Sequence, residues 1–154
     1  MSELHKNLID GEWVGTEGGE NINPSNTNEV IGLYARATAD ETRQAIAAAK
    51  AALPAWSRSG LLERWGILSK TAHEIFARKE ELGKLLSREE GKTLPEGIGE
   101  VTRAGQIFEF FAGEALRLSG ETIPSVRPGV GVEITREAVG VVGIITPWNW
   151  PINQ

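Results

Sequence analysis

The sequence contains no cysteine, which excludes disulfides, thiolate metal sites and a cysteine nucleophile among these residues. Histidine is scarce: His5 and His73 are the two present, too few for a zinc site or a Ser-His-Asp arrangement without groups from elsewhere. There is no basic surplus. The formal net charge is −5 and the pI is near 5.2, so a nucleic-acid partner held through its phosphates is disfavoured. Apolar runs of membrane-spanning length are missing, and Met1-Ser2-Glu3-Leu4-His5-Lys6 lacks the apolar core of a signal peptide. What is present, 40% apolar and 24% charged residues over 154 positions, suits one ordered domain of ordinary size. These balances describe an acidic, cytoplasmic α/β protein with no membrane partner.

The first third reads as strands and turns. Leu8-Ile9 and Trp13-Val14 flank Asp10-Gly11, a pair that tolerates positive φ and suits a tight hairpin. Asn23-Pro24-Ser25-Asn26 reads as a turn and Val30 to Tyr34 as the strand after it. Three helices are expected next. Thr38-Ala39-Asp40-Glu41 has the pattern of a capping box and opens an alanine-rich helix that stops near Pro54. A second helix runs from near Ser59 to Gly91, with Leu61, Trp65, Leu68, Ala72, Ile75, Leu82 and Leu86 on one buried face. Thr93-Leu94-Pro95-Glu96 opens a third, whose stripe of Val101, Ala104, Phe108, Phe111, Ala115 and Leu118 is amphipathic. Trp13, Trp56 and Trp65 are read as packing anchors.

Beyond Gly120 the chain turns to Pro, Gly and β-branched residues. Val130 to Arg136 alternates apolar and polar positions like a half-exposed strand. Val139 to Ile145 is almost continuously apolar, like a strand buried on both faces. A buried parallel strand needs neighbours and covering helices. The expectation is therefore a piece of a longer protein, or a sheet completed by another chain. A stop codon directly after Gln154 would speak against an enzyme.

Thr146-Pro147-Trp148-Asn149-Trp150-Pro151 follows that run and is the most specific feature of the sequence. Two prolines fix φ on either side of Asn149, so its side-chain amide stands on a stiff turn at a strand's C-terminal end, where open α/β sheets bind ligands. A neutral amide held there can stabilise an oxygen that becomes negative during reaction. An asparagine in a turn also commonly satisfies backbone groups, and the residues alone leave both roles open.

Gly140-Val141-Val142-Gly143-Ile144-Ile145-Thr146-Pro147-Trp148-Asn149-Trp150-Pro151 resembles the aldehyde dehydrogenase superfamily. Leu8-Ile9-Asp10-Gly11-Glu12-Trp13-Val14, Asn23-Pro24, Ala55-Trp56, Glu90-Gly91-Lys92 and Phe111-Ala112-Gly113-Glu114 agree with that family in its order. The resemblance spans nearly the whole chain and about the first third of a family member. It implies the N-terminal part of that fold, a Rossmann-like cofactor domain with a projecting oligomerisation β-segment. Residues 1–120 would be the N-terminal part of the cofactor-binding domain, 121–138 the oligomerisation segment, and 139–154 the first strand and turn of the dinucleotide-binding core. It further implies NAD or NADP as cofactor, with Ile145, Thr146, Pro147 and Trp148 lining its adenosine and ribose side. Asn149 would donate to the oxyanion of a thiohemiacetal formed by a cysteine thiolate on an aldehyde. That cysteine, the general-base glutamate and the cofactor-binding lysine would lie beyond Gln154. Packing at a strand end remains the competing role for Ile145, and Trp150 either packs or walls the aldehyde tunnel.

Gly113 to Ser125 looks most like family members that oxidise 2-ketoglutarate semialdehyde, with succinate-semialdehyde and betaine-aldehyde enzymes sharing much of the pattern. The resemblance also implies a homodimer or homotetramer joined through the strand Val130–Arg136, against an internal hairpin closed within the subunit. A non-enzymatic, truncated family member acting as an assembly module is the alternative. Other candidates are read as structural. Glu80-Glu81 and Glu89-Glu90 diverge on helices and read as solvated faces, His73 as a helix-surface or boundary residue, His5 as part of a mobile terminus, and Gly129-Val130-Gly131 as turn chemistry without a third glycine. No metal ligand set is identified.

Overall fold

A computed structural model describes residues 4–16 and 18–154. Among the described residues the chain forms seven short strands and four helices. β2 (Asn7–Ile9) and β3 (Glu12–Val14) form the expected hairpin, with Leu8 opposite Trp13. Asp10 and Gly11 both sit at positive φ, 53° and 82°, the backbone that this tight turn requires. β1 (Leu4–His5) lies parallel to β5 (Val30–Ala35), and β4 (Gly18–Ile22) lies antiparallel on β5's other edge. His5 therefore belongs to a strand and stacks on Tyr34, ring centroids 4.8 Å apart. It is not part of a loose terminus.

Helix α1 (Ala39–Trp56) begins at the Thr38 capping box: Thr38 N–H donates to Glu41 and Glu41 N–H to the Thr38 hydroxyl. It passes Pro54 by two residues and buries none of its side chains fully. The expected second helix is two, α2 (Leu61–Ala77) and α3 (Lys79–Glu90), broken at Arg78, whose φ of −105° and ψ of 13° leave the α region. Packing explains the break. A straight helix over residues 61–90 would run about 45 Å against about 33 Å for α4 (Leu94–Ala115). Turning at Arg78 lets both α2 and α3 lie on α4.

The core is this helical layer: Ala72, Leu86, Val101, Ala104, Ala112 and Ala115 are buried. On α4, Ala112 takes the inward place assigned to Phe111, which is 55% exposed. Trp13, Trp56 and Trp65 are also largely exposed and do not anchor the core; Leu61 is exposed as well. Small residues are what bring the helices close. A methyl group on Gly97 would stand 2.5 Å from the Gly83 carbonyl oxygen, and one on Gly105 would stand 2.6 Å from the Phe76 ring. Full burial of Val101 contributes roughly 1.5–3 kcal/mol.

β6 (Glu121–Pro124) and β7 (Gly131–Ile134) pair antiparallel as a two-stranded ribbon, turning through Gly129 at φ 77°. The strand expected over 130–136 thus finds its first partner inside the chain, and each ribbon strand keeps one edge without a strand partner among the described residues. Val139 to Ile145 departs from its expectation. No strand forms there, Gly140 takes φ 113°, and Val139, Val142, Ile144 and Ile145 are mostly exposed. A parallel strand exists only through its neighbours, and among the described residues none lies beside this run.

Candidate functional site

The turn after β4 is built by Asn23, 7% exposed. Its Oδ1 accepts from Ser25 N–H at 2.9 Å and its Nδ2 donates to Glu29 at 2.7 Å. Glu29 in turn pairs with Arg88 of α3 at 2.6 Å. The hydrogen bond from Asn23, then the hydrogen bond and charge of Arg88, hold the Glu29 carboxyl below its ordinary pKa against a smaller opposing effect of burial. The turn therefore rests on the C-terminal end of α3, where Pro24 and Ser25 stand over Gly91. Gly91 adopts the left-handed conformation, φ 73° and ψ 15°, and its N–H donates to Ser87 O, which ends α3 as the sequence predicts. Thr93 then caps α4, with Glu96 accepting from both the Thr93 N–H and hydroxyl.

Lys92 is the single residue between that stop and that start. Its ammonium contacts Glu90 from the last turn of α3 at 2.8 Å, and Glu100 from α4. It also donates to the main-chain oxygen of Asn149 at 2.7 Å and lies 5.0 Å from the Trp150 ring centroid. Burial works against the Lys92 charge, but the hydrogen bonds it donates to Glu100 and Glu90 and their negative charge outweigh it, and the pKa is raised. Glu100 is 1% exposed, and its second oxygen has no hydrogen-bond partner among the described residues.

The segment that the sequence singled out lies against this cluster. Asn149 has its main-chain oxygen held by Lys92, while its side-chain amide has no hydrogen-bond partner among the described residues. Ile145, Thr146, Pro147 and Trp148 stand exposed in the same turn region, Ile145 at 100% and Trp148 at 86%. Ile145 does not pack into a core in this chain. Trp150 meets the Lys92 cation, a contact the sequence did not disclose.

Sequence reasoning missed Lys92 and Glu100 as a pair. The available signal was a glutamate in a buried register of α4, flanked on one face by Gly97, Val101 and Ala104. Glu89 and Glu90 diverge as expected yet are only partly exposed. Glu89 accepts from the Tyr34 hydroxyl at 2.7 Å and Glu90 pairs with Lys92. Glu80 and Glu81 are exposed, as is His73, whose Nδ1 lies 2.7 Å from Ser69 O. A cleft of about 940 Å³ lies elsewhere, between the start of α2 and the base of the ribbon. Its Arg64 is spent on the Trp56 and Ser57 carbonyls and its Arg136 on Ser119 O, so these cations serve the fold.

The sequence model described as the aldehyde dehydrogenase family matches residues 13–154. The chain is 40% identical over 149 residues to alpha-ketoglutaric semialdehyde dehydrogenase of Bacillus subtilis, covering 95% of this chain and 30% of that protein. It is 39% identical over 147 residues to an NADP(+) succinate-semialdehyde dehydrogenase of Escherichia coli, covering 94% of this chain and 30% of that protein. A solved NAD-dependent aldehyde dehydrogenase from Sinorhizobium meliloti shares the backbone at a TM-score of 0.91 and 36% identity, over 99% of this chain and 31% of that one. The chain thus spans about three-tenths of the length of the relatives it matches. With the helical layer and the turn at Asn149 both inside the matched region, the chain belongs to the aldehyde dehydrogenase family.

Proposed function

We propose that this chain acts as the N-terminal portion of an NAD(P)+-dependent aldehyde dehydrogenase, oxidising an aldehyde to a carboxylic acid through a cysteine thiohemiacetal. The observation that carries this reading is the side-chain amide of Asn149, without a hydrogen-bond partner among the described residues, on a turn whose main chain is held by Lys92. In that role the Asn149 amide donates to the aldehyde oxygen as it becomes an oxyanion, and does so without needing a charge of its own. The attacking cysteine and the glutamate that assists hydrolysis come from outside these 154 residues, which contain no cysteine.

The exposed ledge of Ile145, Thr146, Pro147 and Trp148 fits the adenosine and ribose side of a dinucleotide, because its apolar surface is open and no packing has to be displaced. A nicotinamide cofactor held there would supply the hydride acceptor. 2-Ketoglutarate semialdehyde is the substrate we favour, supported by the name of the Bacillus relative, and both NAD and NADP appear among the relatives' names. Residues 1–120 and 139–154 then belong to the cofactor domain. The ribbon in 121–138 serves association into a homodimer or homotetramer, since an isolated two-stranded ribbon with open edges is marginal in water.

The test is the full-length polypeptide that carries this segment, assayed for NAD(P)H formation with a panel of short aldehydes. Activity with short semialdehydes, and a loss of ~100- to 1,000-fold in kcat for Asn149→Ala, supports the reading. No aldehyde-dependent NAD(P)H formation overturns it, and a clear preference for long aliphatic or aromatic aldehydes removes the substrate. Sedimentation equilibrium that finds a monomer removes the assembly.

A further inference from the structure

We infer that Lys92 is a positioning residue for Asn149: it holds the main chain of the oxyanion-donor turn in place from a point 57 residues away in sequence. This rests on the reading of Asn149 as an oxyanion donor and adds the group that fixes it. Residues 145–150 belong to no helix or strand and stand exposed. Among the described residues, the side-chain hydrogen bond that reaches this stretch is the one from Lys92 Nζ to Asn149 O.

The chemistry of the ammonium suits the task. It carries three N–H donors and no acceptor. Three oxygens meet it, one each from Glu90, Glu100 and Asn149. Two of these sit on rigid elements, the last turn of α3 and the buried face of α4, so the third bond transmits their position to the turn. The Trp150 ring, 5.0 Å from the same nitrogen, gives the cation a hold on the residue after Asn149 as well. Glu100 is nearly fully buried, so its side chain has little room to move. Positioning of this kind matters because a displacement of about 1 Å at a reacting group can cost on the order of 100-fold in rate.

The inference is tested in the full-length polypeptide with Lys92→Met and with the double variant Lys92→Met/Glu100→Gln. The double variant removes the most deeply buried carboxylate that the loss of Lys92 would leave uncompensated, and so guards against simple misfolding. Expected for the double variant is a fall in kcat of about tenfold or more with the KM for NAD(P)+ changed less than about twofold. The deciding readout is the same pair of substitutions on an Asn149→Ala background, where no further fall is expected because the group being positioned is gone. A kcat within about twofold of wild type overturns the inference, and so does a loss that repeats in full on the Asn149→Ala background. If Asn149→Ala alone keeps full kcat, the oxyanion reading fails together with the inference built on it. If only the Lys92 variants are silent, the inference fails and the reading of Asn149 stands.

Discussion

The Tyr34 hydroxyl donates to Glu89 Oε1 at 2.7 Å, joining β5 to the end of α3 across 55 residues of sequence. Burial of the phenol, reinforced by the hydrogen bond to the Glu89 carboxylate and by its charge, pushes the Tyr34 pKa from 10.0 up to about 12. Tyr34 is the one tyrosine of the sequence, so absorbance of the tyrosinate reports on it alone. The folded chain should titrate near about 12, and the urea-unfolded chain near 10.0. Since the folded state holds the proton more tightly, this contribution to stability is complete below the unfolded value and is lost as pH rises through the folded one. Glu89→Ala should bring the folded midpoint down; an unchanged midpoint would contradict the assignment.

The α3–α4 contact predicts opposite outcomes for two glycines on one helix. Gly97 leaves no room for a methyl group, which would meet Gly83 O and Ser87 Oγ, both at 2.5 Å, whereas Gly99 has nothing within 4 Å. Gly97→Ala should destabilise the chain by about 1–3 kcal/mol through overpacking. Gly99→Ala should stabilise it by up to about 1 kcal/mol, the helix-propensity difference. Urea denaturation of the two variants side by side checks this, and equal effects would refute the close packing.

Acid sensitivity should report on the turn that supports Gly91. The Glu29 carboxyl is held below its ordinary pKa, first by Asn23 and then by Arg88. Stability from this group is therefore present above the unfolded carboxylate value and falls away as pH drops through the folded one. Glu29→Gln should flatten that part of the stability profile. Asn23→Ala should cost about 1–3 kcal/mol, because it removes a buried hydrogen-bonding group from the turn; a variant with unaltered melting would remove the turn from the account of how Lys92 is placed.

Hydrogen exchange should divide the chain sharply. Amides around Val101 and Ala104, inside α4 and buried, should be among the slowest to exchange. Those from Val141 to Ile145 should be among the fastest, since no strand pairing covers them among the described residues. Protection of that run in a monomeric sample would show a pairing that the structure lacks.

What could be read from sequence was whatever local backbone chemistry decides. Asp10-Gly11 announced its hairpin, Thr38 and Thr93 their helix starts, and Gly91 its helix end, because each effect acts over three or four residues. The motif around Asn149 announced the family for a different reason, its specificity. Missed features all depend on partners distant in the chain. The break at Arg78 has no proline or glycine to mark it and follows from the length of α4. Large aromatics such as Trp65 and Phe111 read as core residues by type, yet the buried places in the close helix contacts go mostly to alanine and glycine, with Leu86 and Val101 the larger exceptions. Strand character at Val139–Ile145 is a property of a sheet, so an apolar run alone does not confer it. The Lys92 cluster joins residues 90, 92, 100 and 149, and no spacing rule connects the last with the others.

The packing of α2 and α3 on α4 has a consequence in time. These elements are neighbours in the chain, so their contacts close short loops and belong to the class that forms early in folding. The run from Val139 to Ile145 follows them from the ribosome with its apolar side chains outward and its hydrogen-bonding groups unspent. Exposed apolar runs with unpaired backbone are prone to aggregation during folding. Slowing synthesis before residue 139 should therefore leave the yield of soluble protein unaffected, whereas slowing it just afterwards should lower that yield.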